Sequence, residues 1–193
     1  EYAGNTSSDS KAAGLLLRAD SHGVQVALDH LIVTESQGYG LRAGLSSLLT
    51  GTHASTFTAN ALGPALIDTN AVHQLGPDSL FTGNDVDRIF LEGTWVNESV
   101  AWRNLGVPLT FTGVSIQPKK VLTLAAGVVL QMGPQSRIDV SGDAAGFHAA
   151  GTATAPVVIT GTAQTNGSWD GLDFDTTLNA ENILNYCIVE YGG

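Results

Sequence analysis

Only 13% of the 193 residues carry a charge, and just 8 of them are lysine or arginine. An average globular chain has about 25% charged residues, so Ser, Thr, Asn, Gln and Gly must cover most of this surface. Disorder is excluded, because it pairs low hydrophobicity with high charge and this chain is 43% hydrophobic. With 18 acidic residues and a net charge of −10, the chain lacks the basic footprint that nucleic acid or an anionic membrane surface requires. A single cysteine, Cys187, leaves no disulfide to form within the sequence and no cysteine-rich zinc site. Its neighbours Tyr186, Ile188 and Val189 are apolar, a setting in which a thiol packs as a small hydrophobe and stays inert. No apolar run reaches the 18 residues of a transmembrane helix. Nor does any long stretch keep the i, i+3, i+4 spacing of an amphipathic helix, and 23 glycines weigh against long helices in general.

What the chain does have is a repeat. Strand-like starts at Leu15, Leu41, Ala65 and Ile89 recur every 24 to 26 residues, a period that signals a solenoid. The runs at these positions are short and alternating, as in Leu109-Thr110-Phe111, Leu122-Thr123-Leu124 and Ile138-Asp139-Val140. Period-two alternation sends one side chain inward and the next outward. Leu28 to Val33 also matches Leu184 to Val189 in character, with His30 standing where Tyr186 stands, and Gly14 to Leu17 lines up with Gly171 to Phe174. Parallel strands need long return connections, and a coil of about 24 residues supplies them by winding continuously. The expected fold is therefore all-β, a right-handed parallel β-helix of about 24 residues per coil. Leu15, Leu17, Leu31, Val33, Leu41, Ile89, Leu91, Leu172, Phe174 and Val189 are its expected inward residues. Residues 93–103 interrupt the rhythm as a loop or lateral strand, and the Ala- and Gly-rich residues 143–154 read as a loop. Neither marks a convincing boundary, so residues 1–193 read as one domain. Glu1-Tyr2-Ala3-Gly4 echoes Glu190-Tyr191-Gly192-Gly193, which suggests a segment of a longer solenoid whose ends stack on further coils or on another copy end to end.

From about Trp102 onward a family resemblance enters. It rests on Val107-Pro108-Leu109, Gly127-Val128-Val129-Leu130, Gly151-Thr152-Ala153 with Pro156 to Gly161, Trp169-Asp170-Gly171-Leu172-Asp173-Phe174, and Asn182 to Gly193. This ordered set resembles a recurrent module of bacterial secreted and surface β-helix proteins. The resemblance implies a pectate-lyase-like superfold and a secreted, periplasmic or cell-surface location. It implies no catalytic residues, and a shared superfold does not carry a shared function.

The densest chemical constellation is Trp169 and Asp170 with Asp173 and Asp175. Asp173 and Asp175 project from one strand face about 7 Å apart, a spacing suited to acid/base work on a glycosidic bond or to a hard cation such as calcium. A tryptophan face nearby is a natural sugar platform. The plainer explanation is that alternation puts polar residues outside, and aspartate is polar. Asp85 and Asp87, in Asn84-Asp85-Val86-Asp87, form a second acidic knot with alternating oxygens, offered as metal ligands. It lacks the glycine and bidentate glutamate of an EF-hand, and a turn entering the next strand explains it equally well. The five histidines, His22, His30, His53, His73 and His148, form no closely spaced pair, so a zinc site would have to be assembled across coils. No nucleotide or phosphate motif is present.

The resulting expectation is a non-enzymatic extracellular or cell-surface module, a rigid scaffold that binds glycan or a partner through a flat β-face. No catalytic residue is nominated and no cofactor is expected beyond weak calcium. The alternative is a polysaccharide lyase or glycoside hydrolase that uses surface carboxylates in a groove. Three or more charged groups converging in a cleft would favour the enzyme.

Overall fold

The computed structural model describes residues 12–18, 24–44 and 47–193. Among them the regular structure is β-strand apart from one short 3-10 turn, Val72–Gln74, and every named strand pairing is parallel. The fold is a parallel β-solenoid. Two compact units divide it: Glu1–Glu92 with Leu105–Pro108, and Gly93–Asn104 with Leu109–Gly193. The echo at Glu1–Gly4 and His22 lie outside the described residues. No helix among those residues is long and apolar enough to cross a membrane.

In the first unit the strands are β1 (Ala13–Leu17), β2 (Val24–Asp29), β3 (Ile32–Thr34), β4 (Tyr39–Ala43), β5 (Ser47–His53), β6 (Thr56–Thr58), β7 (Gly63–Asp68) and β8 (Ile89–Glu92). They stack as β1-β4-β7-β8, β2-β5 and β3-β6. The four repeat starts are register partners: Leu15 pairs with Leu41, Leu41 with Ala65 and Ala65 with Ile89. The sequence period is thus the backbone register itself. Val33 pairs with Phe57, and the Phe57 and Phe81 rings, one coil apart, lie parallel at 5.5 Å.

A polar column runs beside this apolar one. Asn60, 0% exposed, accepts the Ser36 amide at 3.2 Å through Oδ1. Its Nδ2 donates to Asn84 Oδ1 at 2.9 Å and to the Val33 carbonyl at 3.4 Å. Asn84 Nδ2 in turn donates to the Phe57 and Phe81 carbonyls at 3.0 Å. These side chains satisfy backbone groups that the corner removes from the strand ladders, where an unmade hydrogen bond would be costly. Corners recur in the same rhythm. Glu35, Ala59 and Gly83 all have positive φ, at 58°, 53° and 83°.

The second unit contains β9 (Trp95–Val96), β10 (Val100–Trp102), β11 (Leu109–Phe111), β12 (Val114–Ile116), β13 (Val121–Ala125), β14 (Val129–Met132), β15 (Arg137–Ser141), β16 (Gly146–Ala150), β17 (Val157–Gly161), β18 (Gly171–Asp175), β19 (Ile183–Asn185) and β20 (Cys187–Val189). Its ladders are β9-β12-β15-β18, β10-β13-β16-β19 and β11-β14-β17-β20. Residues 93–103 therefore supply two lateral strands. The reading of residues 143–154 as a loop is corrected: β16 runs through their middle, with Phe147 and Ala149 buried and His148 between them turned outward. The small residues there are packing choices, since Ala149 sits under Leu124 in register.

Of the ten expected inward residues, Leu17, Val33, Leu41, Ile89 and Leu91 are buried, and Leu15, Leu31 and Leu172 are partly so. Phe174 and Val189 are 41% and 45% exposed, which corrects the expectation of full burial. Their phase is right, since Phe174 pairs with buried Val140 and Val189 with buried Ile159. Both lie on outermost strands of their ladders, so one side of each is covered and the other is not. The match of His30 with Tyr186 also has a physical basis. Each takes a left-handed φ, 50° and 45°, between two strands.

Phe147→Ala should cost about 3–5 kcal/mol, the usual penalty for a fully buried aromatic, whereas Phe174→Ala should cost roughly half that because half the ring is already wet. Asn60→Ala should cost about 1–3 kcal/mol by orphaning the buried Ser36 amide. Urea denaturation of the three variants checks the order.

Candidate functional site

Alternation along the second unit's strands builds an outward face on β9-β12-β15-β18. Trp95, Ser115, Asp139 and Asp173 are successive register partners across its four strands. At about 4.8 Å per strand, the column is about 14 Å long. Trp95 is 53% exposed. Asp139 accepts a hydrogen bond from the Ser115 hydroxyl at 2.5 Å. Arg137 stands beside this column and reaches Asp170 and Asp173, at 3.4 Å each. Asp175, opposite Ser141, is exposed on the same face. Farther along, Lys119 pairs with Asp143 at 3.5 Å.

The residues nominated from sequence separate here. Asp170, Asp173 and Asp175 are all exposed, and Arg137 brings the first two together. Trp169 does not join them. It is 1% exposed, and its indole N–H donates to the Glu190 carbonyl at 2.9 Å. Gly192 packs against its ring, which leaves no open face for a sugar. Alternation cannot reveal this, because Trp169 lies before the strand and is anchored by a bridge to Gly192. The exposed tryptophan is Trp95, which sequence reasoning passed over with the interrupted rhythm of residues 93–103. The available signal was its alternation with inward Val96.

Asp85 and Asp87 are both exposed. Asp87 Oδ1 accepts the Asn84 amide at 2.8 Å and Asn84 Nδ2 at 3.3 Å, while Oδ2 accepts the Gly83 amide at 3.1 Å. Both oxygens are committed to the turn. Desolvation pushes the Asp87 carboxyl up, but these hydrogen bonds outweigh it and hold the carboxyl below its ordinary value. Among the described residues, no three His, Cys, Asp or Glu side chains are grouped to hold a metal ion.

Two further clusters lie in the first unit. His30 and His53 meet edge to face at 5.7 Å. His30 pairs with Asp29 at 2.7 Å, and His53 pairs with Asp78. All four side chains are well exposed, as solvated corner residues are. The second cluster is Arg42, Glu92, Tyr39 and Asp68. Arg42 and Glu92 pair at 3.5 Å across partly buried positions. The Tyr39 hydroxyl is pushed up by burial and by the Glu92 charge, against the opposing pull of Arg42. Asp68 is buried, its Oδ1 accepting from Asn70. Asp68 Oδ2 and Arg42 Nε lack protein partners, yet both are shut off from solvent. The Arg42–Glu92 pair ties β4 to β8.

The chain matches no family model, no curated protein and no solved structure.

Because the folded Asp87 carboxyl titrates below the unfolded one, it adds stability above the ordinary aspartate value of about 3.9, and that contribution is lost as pH falls through the lower folded value. Asp87→Asn should therefore destabilise the protein at neutral pH, with the gap to wild type closing as the medium becomes more acid than the ordinary value. Urea titrations down through the acid range read this out. Cys187 is half-buried and its thiol is pushed up by desolvation. Alkylation at mildly alkaline pH should be slower in the native protein than in urea, since the thiolate is the reacting form.

Proposed function

We propose that the chain is a non-enzymatic, secreted or cell-surface β-solenoid module, a stiff scaffold whose outer β-face holds glycan. The observation that carries this reading is the state of the carboxylates on β9-β12-β15-β18. They are spread along the outer side of one ladder, Asp170, Asp173 and Asp175 exposed and Asp139 partly so, and neighbours engage Asp139, Asp170 and Asp173 in place. Catalysis by paired carboxylates depends on a water-excluded site in which their charges are strengthened and their proton affinities driven apart. A flat face in bulk water offers little of either. Glycan binding asks less: an aromatic platform and a row of hydrogen-bonding groups, which Trp95, Ser115, Asp139 and Asp173 supply. The pectate-lyase-like family assignment and the location belong to the same proposal and rest on the sequence resemblance.

A polysaccharide lyase or glycoside hydrolase is the second reading, favoured by one observation. Arg137 converges with Asp170 and Asp173, a basic group set between carboxylates. Prolonged incubation with a panel of uronate and neutral polysaccharides separates the two. The module reading expects no unsaturated product and no new reducing ends. Product formation abolished by Arg137→Ala would establish the enzyme.

The partner side of the proposal is another copy of the chain docked end to end. Support comes from strands β18, β19 and β20, where Phe174, Ile183, Leu184, Ile188 and Val189 stay exposed. Light scattering should show mass rising with concentration. Ile188→Lys, a charge placed among those exposed apolar residues, should hold the protein monomeric.

A further inference from the structure

The sequence keeps the histidines apart, and the coil brings two of them together. His53, the last residue of β5, is the register partner of Asp29, the last of β2. The His30 amide donates to the His53 carbonyl at 3.0 Å, and the two rings meet edge to face with 5.7 Å between centres. Backbone near both is pinned: the Leu31 amide donates to the Ser55 hydroxyl at 3.2 Å, and the Gly76 amide to the Thr52 hydroxyl at 2.8 Å. The side chains themselves are 72% and 68% open to solvent, which leaves room for a ligand and its water.

Each ring gives the same nitrogen to a carboxylate. His30 Nδ1 lies 2.7 Å from Asp29 Oδ1, and His53 Nδ1 pairs with Asp78 Oδ2. An ionised carboxylate only accepts, so each Nδ1 carries the proton and the Nε2 of each neutral ring keeps its lone pair. Among the described residues, no partner takes either Nε2. Either contact alone is an ordinary surface pair. Two of them on touching rings are the arrangement of metal-binding histidines, which pass their other ring N–H to a carboxylate that orients the ring and raises the basicity of the ligating nitrogen.

The ring spacing agrees. Metal–nitrogen bonds of about 2.0–2.1 Å, and roughly 1.2 Å more from nitrogen to ring centre, put two rings on one tetrahedral ion about 5.3 Å apart. The 5.7 Å between His30 and His53 is a small turn of the rings away from that value. We propose that His30 and His53 bind one divalent transition-metal ion of the zinc and copper class through their Nε2 atoms, with water completing its coordination. Imidazole suits these ions, whereas calcium and magnesium prefer oxygen. With two protein ligands and no third grouped beside them, the site is weaker than the closed centres that fold zinc domains. The bound ion joins the end of β2 to the end of β5 and clips together a ladder only two strands wide. This site lies in the first unit and is independent of the glycan reading.

Zinc titrated alone into the untagged chain, followed by calorimetry and by thermal melting, tests the site. The wild type should bind one zinc ion saturably, and its melting temperature should rise with zinc concentration. Copper should bind more tightly than zinc, and calcium at the same concentration should leave the melting temperature where it was. The imidazole C–H resonances of His30 and His53 should shift together as zinc is added, while those of His148, paired with Glu181, stay in place. His30→Asn, a residue that tolerates the left-handed φ of 50° at that corner, and His53→Gln should each weaken zinc binding tenfold or more and remove the stabilisation. Asp78→Asn keeps an acceptor oxygen but loses the charge behind the His53 ring, and should weaken zinc binding threefold or more. Melts without zinc confirm that these exposed positions leave the fold intact. Zinc binding that survives both histidine substitutions, or that calcium matches, would overturn the proposal by placing the ion elsewhere on the acidic surface. Loss in one histidine variant alone would overturn the two-ring chelate, and no zinc binding at millimolar concentration would remove the site altogether.

Discussion

Parallel register between successive coils is the constraint from which the rest of this molecule follows. Once the backbone of one coil hydrogen-bonds to the next, each residue lies about 4.8 Å from its partner in the adjacent coil, and every column must tolerate its own repetition. Apolar and small polar residues stack well at that distance. Phe57 on Phe81, and Ser36 beside Asn60 beside Asn84, are two such solutions. Like charges stack badly, which accounts for a composition with so few of them. Some of the charges that do occur are matched across coils, as with Arg42 and Glu92 or Arg137 and Asp173. Asp139 over Asp173 breaks that rule. The Ser115 hydroxyl and the Arg137 guanidinium hold this pair in place.

The period was legible in the sequence because register and repetition are the same fact. Leu15, Leu41, Ala65 and Ile89 align by sequence and pair by backbone, so counting residues amounts to reading the ladder. Inward phase was legible for the same reason. Degree of burial was not, because it depends on what lies above and below a residue. Phe174 and Val189 share the phase of Val140 and Ile159 but not their cover. The strand β16 was hidden by its own packing. Gly and Ala in residues 143–154 mimic a loop, yet Ala149 is small because Leu124 occupies the space on the adjacent coil.

The tryptophans show where local pattern fails. Trp169 sits among aspartates and looks like part of an exposed site, but its ring is held by the Glu190 carbonyl and by Gly192, twenty and more residues away. Nothing local encodes that contact. Trp95 sits in a stretch that breaks the repeat, and it becomes meaningful only when β9 is seen to pair with β12, placing the ring one strand from Ser115. A chemical site on a solenoid is a column, assembled from residues about one coil apart. Adjacent residues on one strand, such as Asp173 and Asp175, share a face but belong to different columns.

That distinction bears on what such a surface can do. A column repeats one kind of contact at fixed spacing, in water, with no wall to exclude solvent. Each contact is weak, because screening acts fully on exposed charges. A single small ligand meeting one such contact gains little. A polymer whose own repeat nearly matches the coil spacing meets several at once, and its later contacts form at the high effective concentration set by the first. The stiffness of a continuously hydrogen-bonded stack makes this addition worthwhile, since the spacing does not have to be reorganised when the ligand arrives. On the proposed reading, the regular spacing that spreads the carboxylates along the ladder is what lets a regular polymer engage several of them at once.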